Sequence, residues 1–175
     1  SHKSQLVIKR LSLRRDFPLQ FLDFLKRGVA IFQTTLDQFH EEMPGTFNGR
    51  IKRVGVEFVG MTSNNGVHGS LSCAGVSAAR DVGGAVRQKV HPAETMVISP
   101  LMLEKSFSRL DAASLSAASA GGELALFENV GLQCSWKLEV PLRSNDVRMT
   151  EFADVGIIIA YLCQHDAALE GKDMA

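Results

Sequence analysis

The sequence predicts a mainly β protein, an antiparallel β-sandwich with one short helix near the N-terminus. Two observations favour this fold. Segments in which apolar and polar residues alternate follow one another through most of the chain, and such alternation is typical of strands with one buried face. No regular succession of strand, helix and strand, which a parallel sheet requires, connects them. The 175 residues suffice for one domain, placed at residues 3–166, with about seven or eight strands.

The N-terminal part is predicted as strand, helix, strand. Leu6–Arg14 alternates and forms the first strand. Pro18–Arg27 forms the helix, because proline suits a first helical position and Gly28 is placed to end it. Val29–Leu36 is rich in β-branched and aromatic residues, which predicts the second strand. A turn follows at residues 43–45.

The middle of the chain is predicted to contain a hairpin and two weaker strands. Arg50–Gly60 is a long alternating strand. Asn64-Asn65-Gly66 is a hairpin signal, because these residues tolerate the positive φ angles of tight turns. Val67–Ala78 should therefore return as the hairpin partner. Ala85–Val90 and Thr95–Ser99 are the weaker strands.

The C-terminal part contains the clearest strands. Leu101–Gly122 is ambiguous, because helical spacing gives way to an Ala/Ser-rich run; it is a loop, a frayed helix or a flexible insertion. Glu123–Phe127 is predicted to resume strand structure. Leu132–Val140 alternates strictly, which indicates one core face and one solvated face. Val155–Cys163 is apolar on both faces, which predicts a central strand.

The two ends of the chain are expected to lie outside the fold. Ser1 and His2 look like the remnant of a cleaved expression tag, and residues 167–175 are predicted to form a flexible tail. No signal peptide opens the chain, and strand-like sequence begins almost at once. We therefore expect a domain excised from a longer protein.

Composition excludes several classes of protein. The chain is 45% apolar, and its 19 basic residues balance 19 acidic ones, which disfavours a disordered chain and a nucleic-acid binder. No apolar run approaches the roughly 18 residues of a membrane span. The charge is uneven, since residues 1–60 hold 10 basic and 6 acidic side chains (+4) and the remainder is −4. This division suits docking on copies or on a polar partner, with chance clustering as the alternative.

No catalytic constellation is found, and no enzyme activity, metal or cofactor is predicted. The cysteines show no C-x-x-C spacing, and no histidine stands close to a cysteine in the pattern of a metal-ligand set. In strand-like stretches a free thiol behaves as a small buried apolar group. This description applies to all three cysteines: Cys73, Cys134 and Cys163.

Two alternative functions are considered. A hydrolase would pair Ser70 or Ser77 with a histidine, because residues 75–79 partly match a nucleophile motif. A carbohydrate-binding sandwich that helps recognise a host surface would need exposed aromatic side chains. The only Trp and Tyr, Trp136 and Tyr161, occupy apolar strand positions, which favours core packing.

Three blocks of the sequence resemble a known family. The first, residues 44–54, contains a Pro-Gly pair, an aromatic residue and an Arg-Ile-Lys run. The second joins Leu-Phe-Glu-Asn at 126–129 to Ser-Trp-Lys-Leu-Glu-Val-Pro at 135–141, and the third is the aliphatic run that ends in tyrosine at 154–161. In order and approximate spacing they are similar to the C-terminal domain of the A component of bacterial insecticidal toxin complexes (Tc toxins, TcA). The resemblance covers residues 11–161.

This resemblance implies a β-sandwich at the C-terminus of a very large, homopentameric, pore-forming protein that is secreted or associated with the cell surface. The family's domain is known as the TcB-binding domain and helps to dock the TcB–TcC cocoon. The implied partners are therefore the TcB–TcC subunits and neighbouring TcA protomers. The resemblance implies neither nucleic-acid binding nor membrane insertion by this domain.

Five residues are candidate interface positions. Arg50, Lys52 and Arg53 begin a strand just after a turn, where cations could pair with acidic groups of a neighbouring surface. Asn64 and Asn65 form the next turn, at which family members commonly carry proline and aromatic residues. An exposed ion pair contributes about 0 to 1 kcal/mol, so we expect these residues to set orientation more than affinity.

Overall fold

The computed structural model describes residues 3–60, 67–98, 126–143, 145 and 147–173. These residues form two antiparallel β-sheets, one of three strands and one of five. Apolar side chains from both sheets meet in one buried cluster. The predicted fold class, mainly β with antiparallel sheets in a sandwich, is confirmed.

The described part of the chain contains eight strands and four short α-helices. The strands are β1 (Gln5–Ser12), β2 (Val29–Thr34), β3 (Thr46–Val59), β4 (Gly69–Arg80), β5 (Val86–Val90), β6 (Thr95–Ile98), β7 (Gln133–Glu139) and β8 (Asp154–His165). The helices are α1 (Leu13–Asp16), α2 (Pro18–Arg27), α3 (Leu36–His40) and α4 (Glu170–Asp173), with 3-10 turns at Met149–Glu151 and Ala167–Leu169. None of these described helices has the length and apolar character to cross a membrane.

The two sheets use the strands in a non-sequential order. The three-stranded sheet has the order β1-β8-β3, and the five-stranded sheet has the order β2-β7-β4-β5, with β6 also paired to β4. Strand β8 is central, as its two apolar faces predict, and Ile157, Ile158 and Ile159 are each at most 1% exposed. Strand β5 lies at one edge of the five-stranded sheet.

Helix α2 begins and ends where the sequence predicts. Pro18 occupies its first turn, and Gly28 ends it with a φ of 74°. A Cβ at residue 28 would also lie only 2.3 Å from the Val140 carbonyl oxygen, so glycine is required for both the turn and the close approach. Phe21 and Phe24 are buried and join the helix to the core.

Two further short helices flank α2 where the sequence predicts the ends of strands. Strand β1 ends at Ser12 rather than Arg14, because the Ser12 hydroxyl accepts a backbone hydrogen bond and caps α1. Strand β2 ends at Thr34 rather than Leu36, and α3 begins with a capping box at Thr35. Such bonds between side chain and backbone compete with strand pairing.

The predicted hairpin between β3 and β4 is wrong. Strand β3 pairs with β8, whereas β4 pairs with β5, β6 and β7 in the other sheet. Both strands alternate because each faces the common core, to which Val54 and Leu71 contribute. Alternation alone does not distinguish a hairpin from a connection between two sheets. The turn at residues 64–66 and the ambiguous segment 101–122 lie outside the described residues.

The strand predicted at Glu123–Phe127 is wrong in its described part. Residues 126–129 form a turn, in which Phe127 and Asn129 have φ angles of 67° and 68°. Positive φ is strained for a bulky residue, but this turn brings the Phe127 ring into the core. Its centroid lies 5.2 Å from that of Trp136 in an edge-to-face contact. Residues 123–125 are not described.

The alternation predicted for Leu132–Val140 is confirmed by burial. Its apolar face is at most 2% exposed and comprises Leu132, Cys134, Trp136, Leu138 and Val140. The indole Nε1 of Trp136 donates a hydrogen bond of 3.1 Å to Thr34 Oγ1, which satisfies the one polar atom of the ring. All three cysteines are free and buried, as predicted.

The C-terminal segment does not form the predicted flexible tail in its described part. Residues 167–173 form a 3-10 turn followed by α4, and Leu169 is 3% exposed. Asp173 forms an ion pair with Arg80 and accepts a 2.6 Å hydrogen bond from the backbone N–H of Gly45. The polar composition of the segment favours a tail. Its ion pair with Arg80, which lies 93 residues earlier in the sequence, holds it against the domain instead.

Candidate protein interface

The structure separates the three cationic residues that the sequence singles out on β3. Lys52 Nζ lies 2.6 Å from Glu128 Oε1, and both side chains are mostly buried. Arg53 is half-buried and forms no ion pair with a described residue. Arg50 lines a surface cleft together with residues from β4 and β5. Asn64 and Asn65 lie outside the described residues, so their role stays a prediction.

The cleft has a volume of about 150 Å³ and is predominantly cationic. We call it the basic cleft. Its lining consists of four cationic side chains, one carboxylate and two neutral residues: Arg50, Arg80, Arg87, Lys89, Asp81, Asn48 and Ala79.

The register of the five-stranded sheet explains why cations of β5 line this cleft. Lys89 pairs with Ser77 and Arg87 pairs with Ala79, and residues directly opposite one another share a face of the sheet. Ser77 in turn lies opposite Cys134, which is a core residue. The core-facing side of the sheet is thus cationic at its β5 edge.

Strand β3 contributes Arg50 from an irregular stretch. Its register against β8 shifts between Phe47 and Arg50 and again between Ile51 and Arg53. Asn48 within the first shift has a φ of 53°. Such bulges redirect side chains relative to a regular strand, so the direction of Arg50 does not follow from simple alternation.

Two of the four cations in the basic cleft have carboxylate partners. Arg80 forms a buried ion pair with Asp173, and each side chain is only 7% exposed. Arg87 Nε lies 2.8 Å from Asp81 Oδ2, and the hydrogen bond from Arg87 lowers the pKa of Asp81.

The other two cations contact only neutral oxygens among the described residues. Arg50 donates to the Asn48 carbonyl at 3.3 Å and to Ser4 Oγ at 3.4 Å. Lys89 Nζ donates to the Asn129 carbonyl at 3.4 Å. Burial, and secondarily the nearby charge of Arg50, lower the pKa of Lys89. The basic cleft therefore carries a surplus of two positive charges.

A second, larger cavity of about 340 Å³ lies beside α3 and α4, where His40 and Asp173 line it. His40 Nδ1 is 3.7 Å from Asp173 Oδ1. Burial, together with the charge of Arg80, lowers the pKa of His40, so the imidazole stays neutral around neutral pH. No group of three or more potential metal ligands occurs among the described residues.

The structure also brings Ser77 together with a histidine. His91 Nε2 lies 2.8 Å from Ser77 Oγ, and the same hydroxyl accepts a 2.8 Å hydrogen bond from the N–H of Gly131. His91 Nδ1 faces the Pro92 carbonyl at 3.1 Å. Ser77 is 2% exposed and lines neither of these two cavities, so the pair links β4 to the residue that follows β5 and the hydroxyl is buried. For His68, the backbone N–H donates a 2.8 Å hydrogen bond to Asn145 Oδ1.

Trp136 and Tyr161 do not provide a sugar-binding platform, since they are 2% and 1% exposed. Tyr161 packs edge-to-face on Phe39, with ring centroids 5.3 Å apart. Within the described part of the chain, the carbohydrate-binding alternative therefore lacks the exposed Trp and Tyr rings on which it depends.

Sequence reasoning missed Arg80, Arg87 and Lys89 as neighbours of Arg50. A weak signal exists in β5, where two cations alternate with two valines and a glutamine. In an edge strand this pattern indicates a charged face. It does not reveal that the same face meets Arg50 from the other sheet.

Comparison with known proteins identifies the family of the chain. The sequence profile of the family described as Tc toxin complex TcA C-terminal TcB-binding domain matches residues 1–163. The chain belongs to this family. No curated protein sequence matches it. The resemblance that the three sequence blocks carry is therefore confirmed.

A solved structure supports the fold of this TcB-binding domain. The cryo-EM structure of Yersinia pseudotuberculosis TcaA-TcaB is similar to it, with a TM-score of 0.54 and 14% sequence identity. The match covers 94% of this chain and 10% of that one. The chain thus spans about a tenth of the length of that relative.

Proposed function

We propose that this domain contributes to docking of the TcB–TcC cocoon on a pore-forming, homopentameric Tc-toxin A component, and that it has no enzymatic activity of its own. The observation that carries the proposal is the family match over residues 1–163. The partners are the TcB–TcC subunits and neighbouring A-component protomers. As part of such a toxin, the domain acts in a secreted or cell-surface-associated assembly.

The geometry supports a binding role through surface chemistry. The apolar faces of both sheets pack together in one core. The described surface carries a cationic cleft at one sheet edge. Arg50 and Arg53 are the described interface candidates, while Lys52 is engaged by Glu128 and so has less freedom to contact a partner. Asn64 and Asn65 complete the proposed set.

Biolayer interferometry against the purified cognate TcB–TcC cocoon tests this proposal. We expect saturable binding by the A component that carries this domain, and loss of binding when the domain is deleted. A cocoon assembled with an unrelated TcB serves as the control surface. If neither the isolated domain nor the complete A component binds the cognate cocoon, the proposal is wrong.

A further inference from the structure

The strongest chemical feature of the described surface is the surplus of positive charge in the basic cleft. We propose that this cleft receives a carboxylate side chain of TcB, held between Arg50 and Lys89. This inference rests on the proposed function and specifies the chemistry of the contact. Arg80 and Arg87 line the same cleft but are already matched by Asp173 and Asp81.

The first argument concerns unused hydrogen-bond capacity. A guanidinium has five N–H donors and an ammonium has three. Arg50 uses two donors on neutral oxygens, at 3.3 and 3.4 Å, and Lys89 uses one at 3.4 Å. These contacts are longer than charge-assisted bonds, which are about 2.7–2.9 Å. A carboxylate would replace weak neutral contacts with charge-assisted ones.

The second argument concerns electrostatic repulsion within the free domain. The pKa of Lys89 is lowered by its burial and by the positive charge of Arg50. Both causes disfavour the charged lysine, and an anion placed between the two cations would counter them. The cleft is therefore electrostatically unbalanced without a partner and balanced with an anion bound.

The third argument concerns the source of the carboxylate. The basic cleft opens on the surface where β5 forms an edge of its sheet. Interfaces between proteins place groups of opposite charge against each other, which fixes the orientation of the partners. The proposed partner of this domain is TcB, so the carboxylate is assigned to an Asp or Glu side chain on the surface of TcB.

Charge-neutralising variants in the complete A component test this inference. Arg50→Gln and Lys89→Gln each remove one cation without introducing a repulsive charge. We expect each to weaken binding to the cognate cocoon by at least about thirtyfold, which is the effect of removing one partner of a buried, hydrogen-bonded charge pair. Lys26→Gln, which removes an exposed cation of α2, is the matched control and should leave affinity within about twofold.

The double variant distinguishes a shared carboxylate from two separate contacts. If both cations hold the same group, the losses are coupled, and the double variant binds only slightly more weakly than either single variant. If the two losses simply multiply, the shared-carboxylate geometry is wrong. Circular dichroism and thermal melting of each variant verify that the domain remains folded.

The outcomes separate the inference from the function on which it rests. Absence of binding by the unaltered A component overturns the proposed function. Unaltered binding together with near-wild-type affinity of both Gln variants, or an equal loss in Lys26→Gln, overturns the basic cleft as the contact. Titration of sodium phosphate into the A component tests the free-anion alternative. Saturable phosphate binding lost in Arg50→Gln, with cocoon affinity unchanged, would also overturn the inference.

Discussion

Arg80 and Arg50 border the same cleft on neighbouring strands of the two sheets, yet their environments differ. The side chain of Arg80 is 7% exposed and pairs with Asp173, and it donates two further bonds to the Thr46 carbonyl at 3.0 and 2.5 Å. Arg50 is half-buried and meets only neutral oxygens among the described residues. Arg80 is therefore neutralised within the fold, whereas Arg50 is not neutralised by any described residue. The difference is whether the fold places a carboxylate beside the guanidinium.

The carboxylate for Arg80 comes from the C-terminal segment. Asp173 lies in α4 and also accepts the N–H of Gly45 in the turn before β3. This arrangement ties the end of the described chain to both sheets. The comparison therefore teaches that the polar C-terminal segment is part of the fold, whereas Arg50 has no carboxylate partner among the described residues.

The largest expected effect is the loss of the buried pair. Arg80→Ala leaves Asp173 as an uncompensated buried charge, which destabilises proteins by about 3–5 kcal/mol. Arg50→Ala should change the free energy of unfolding by no more than about 0.5 kcal/mol, as surface substitutions do. Urea denaturation of both variants measures the difference. Equal effects of the two substitutions would break the comparison.

A smaller loss is expected at Ser77, which lies opposite Lys89 in the sheet but is satisfied inside the fold. Ser77→Ala leaves the N–H of Gly131 without its acceptor, and an unsatisfied buried donor costs about 1–3 kcal/mol. Ser77→Thr retains a hydroxyl and is the control. The unaltered protein should not react with a fluorophosphonate probe; labelling at Ser77 would restore the hydrolase alternative.

The pH dependence of stability should distinguish the buried pair from the open cleft. Burial acts to raise the pKa of Asp173, but hydrogen bonds from Arg80 and Gly45 outweigh it, and the pKa is lowered from 3.8. A lowered carboxyl pKa stabilises the fold above the unfolded value, and this contribution disappears as pH falls through the folded value.

Chemical denaturation at several pH values measures that contribution. The stability difference between the unaltered domain and Asp173→Asn should be constant above about pH 5 and shrink below the unfolded pKa, whose reference value is near 3.9. Arg50→Gln should show no such acid-dependent difference. A difference that persists unchanged into strong acid would show that the ion pair contributes nothing.

The smallest expected effect is a change in the titration of Lys89. Because the charge of Arg50 contributes to the lowered pKa, Arg50→Gln should raise it part of the way towards its ordinary value. Burial, the larger cause, remains. NMR titration of the lysine side chain measures this shift, with Lys26→Gln as the control. An unchanged pKa would mean that the two cations are too far apart to share a ligand.

Local patterns predicted much of the fold correctly. Three features depend on residues within or next to one element and could therefore be predicted from local sequence. They are the alternation of β7, the two apolar faces of β8 and the caps of α2. The ends of β1 and β2 were misplaced because capping by Ser12 and Thr35 outweighs strand propensity there. The pairing of β3 with β8 was missed because strand pairing depends on contacts between distant segments.

The candidate interface was predictable only in part. Arg50 was identified from its position after a turn, and the family was identified from blocks of sequence. Its companions Arg87 and Lys89 were not identified, because they lie on β5 of the other sheet. Lys52 was predicted to pair with a neighbouring surface, but it pairs instead with Glu128 of the same chain, 76 residues away in sequence.

The sequence by itself determined most of the strands, the buried faces of β7 and β8 and the family to which the domain belongs, because these properties follow from local residue order. Only the tertiary structure decided which cations are neutralised. Asp173 and Arg80 are 93 residues apart in sequence, and Coulomb interactions depend on distance in space and on burial. Folding therefore divides nearly identical side chains into those that receive a carboxylate partner and those that have none among the described residues.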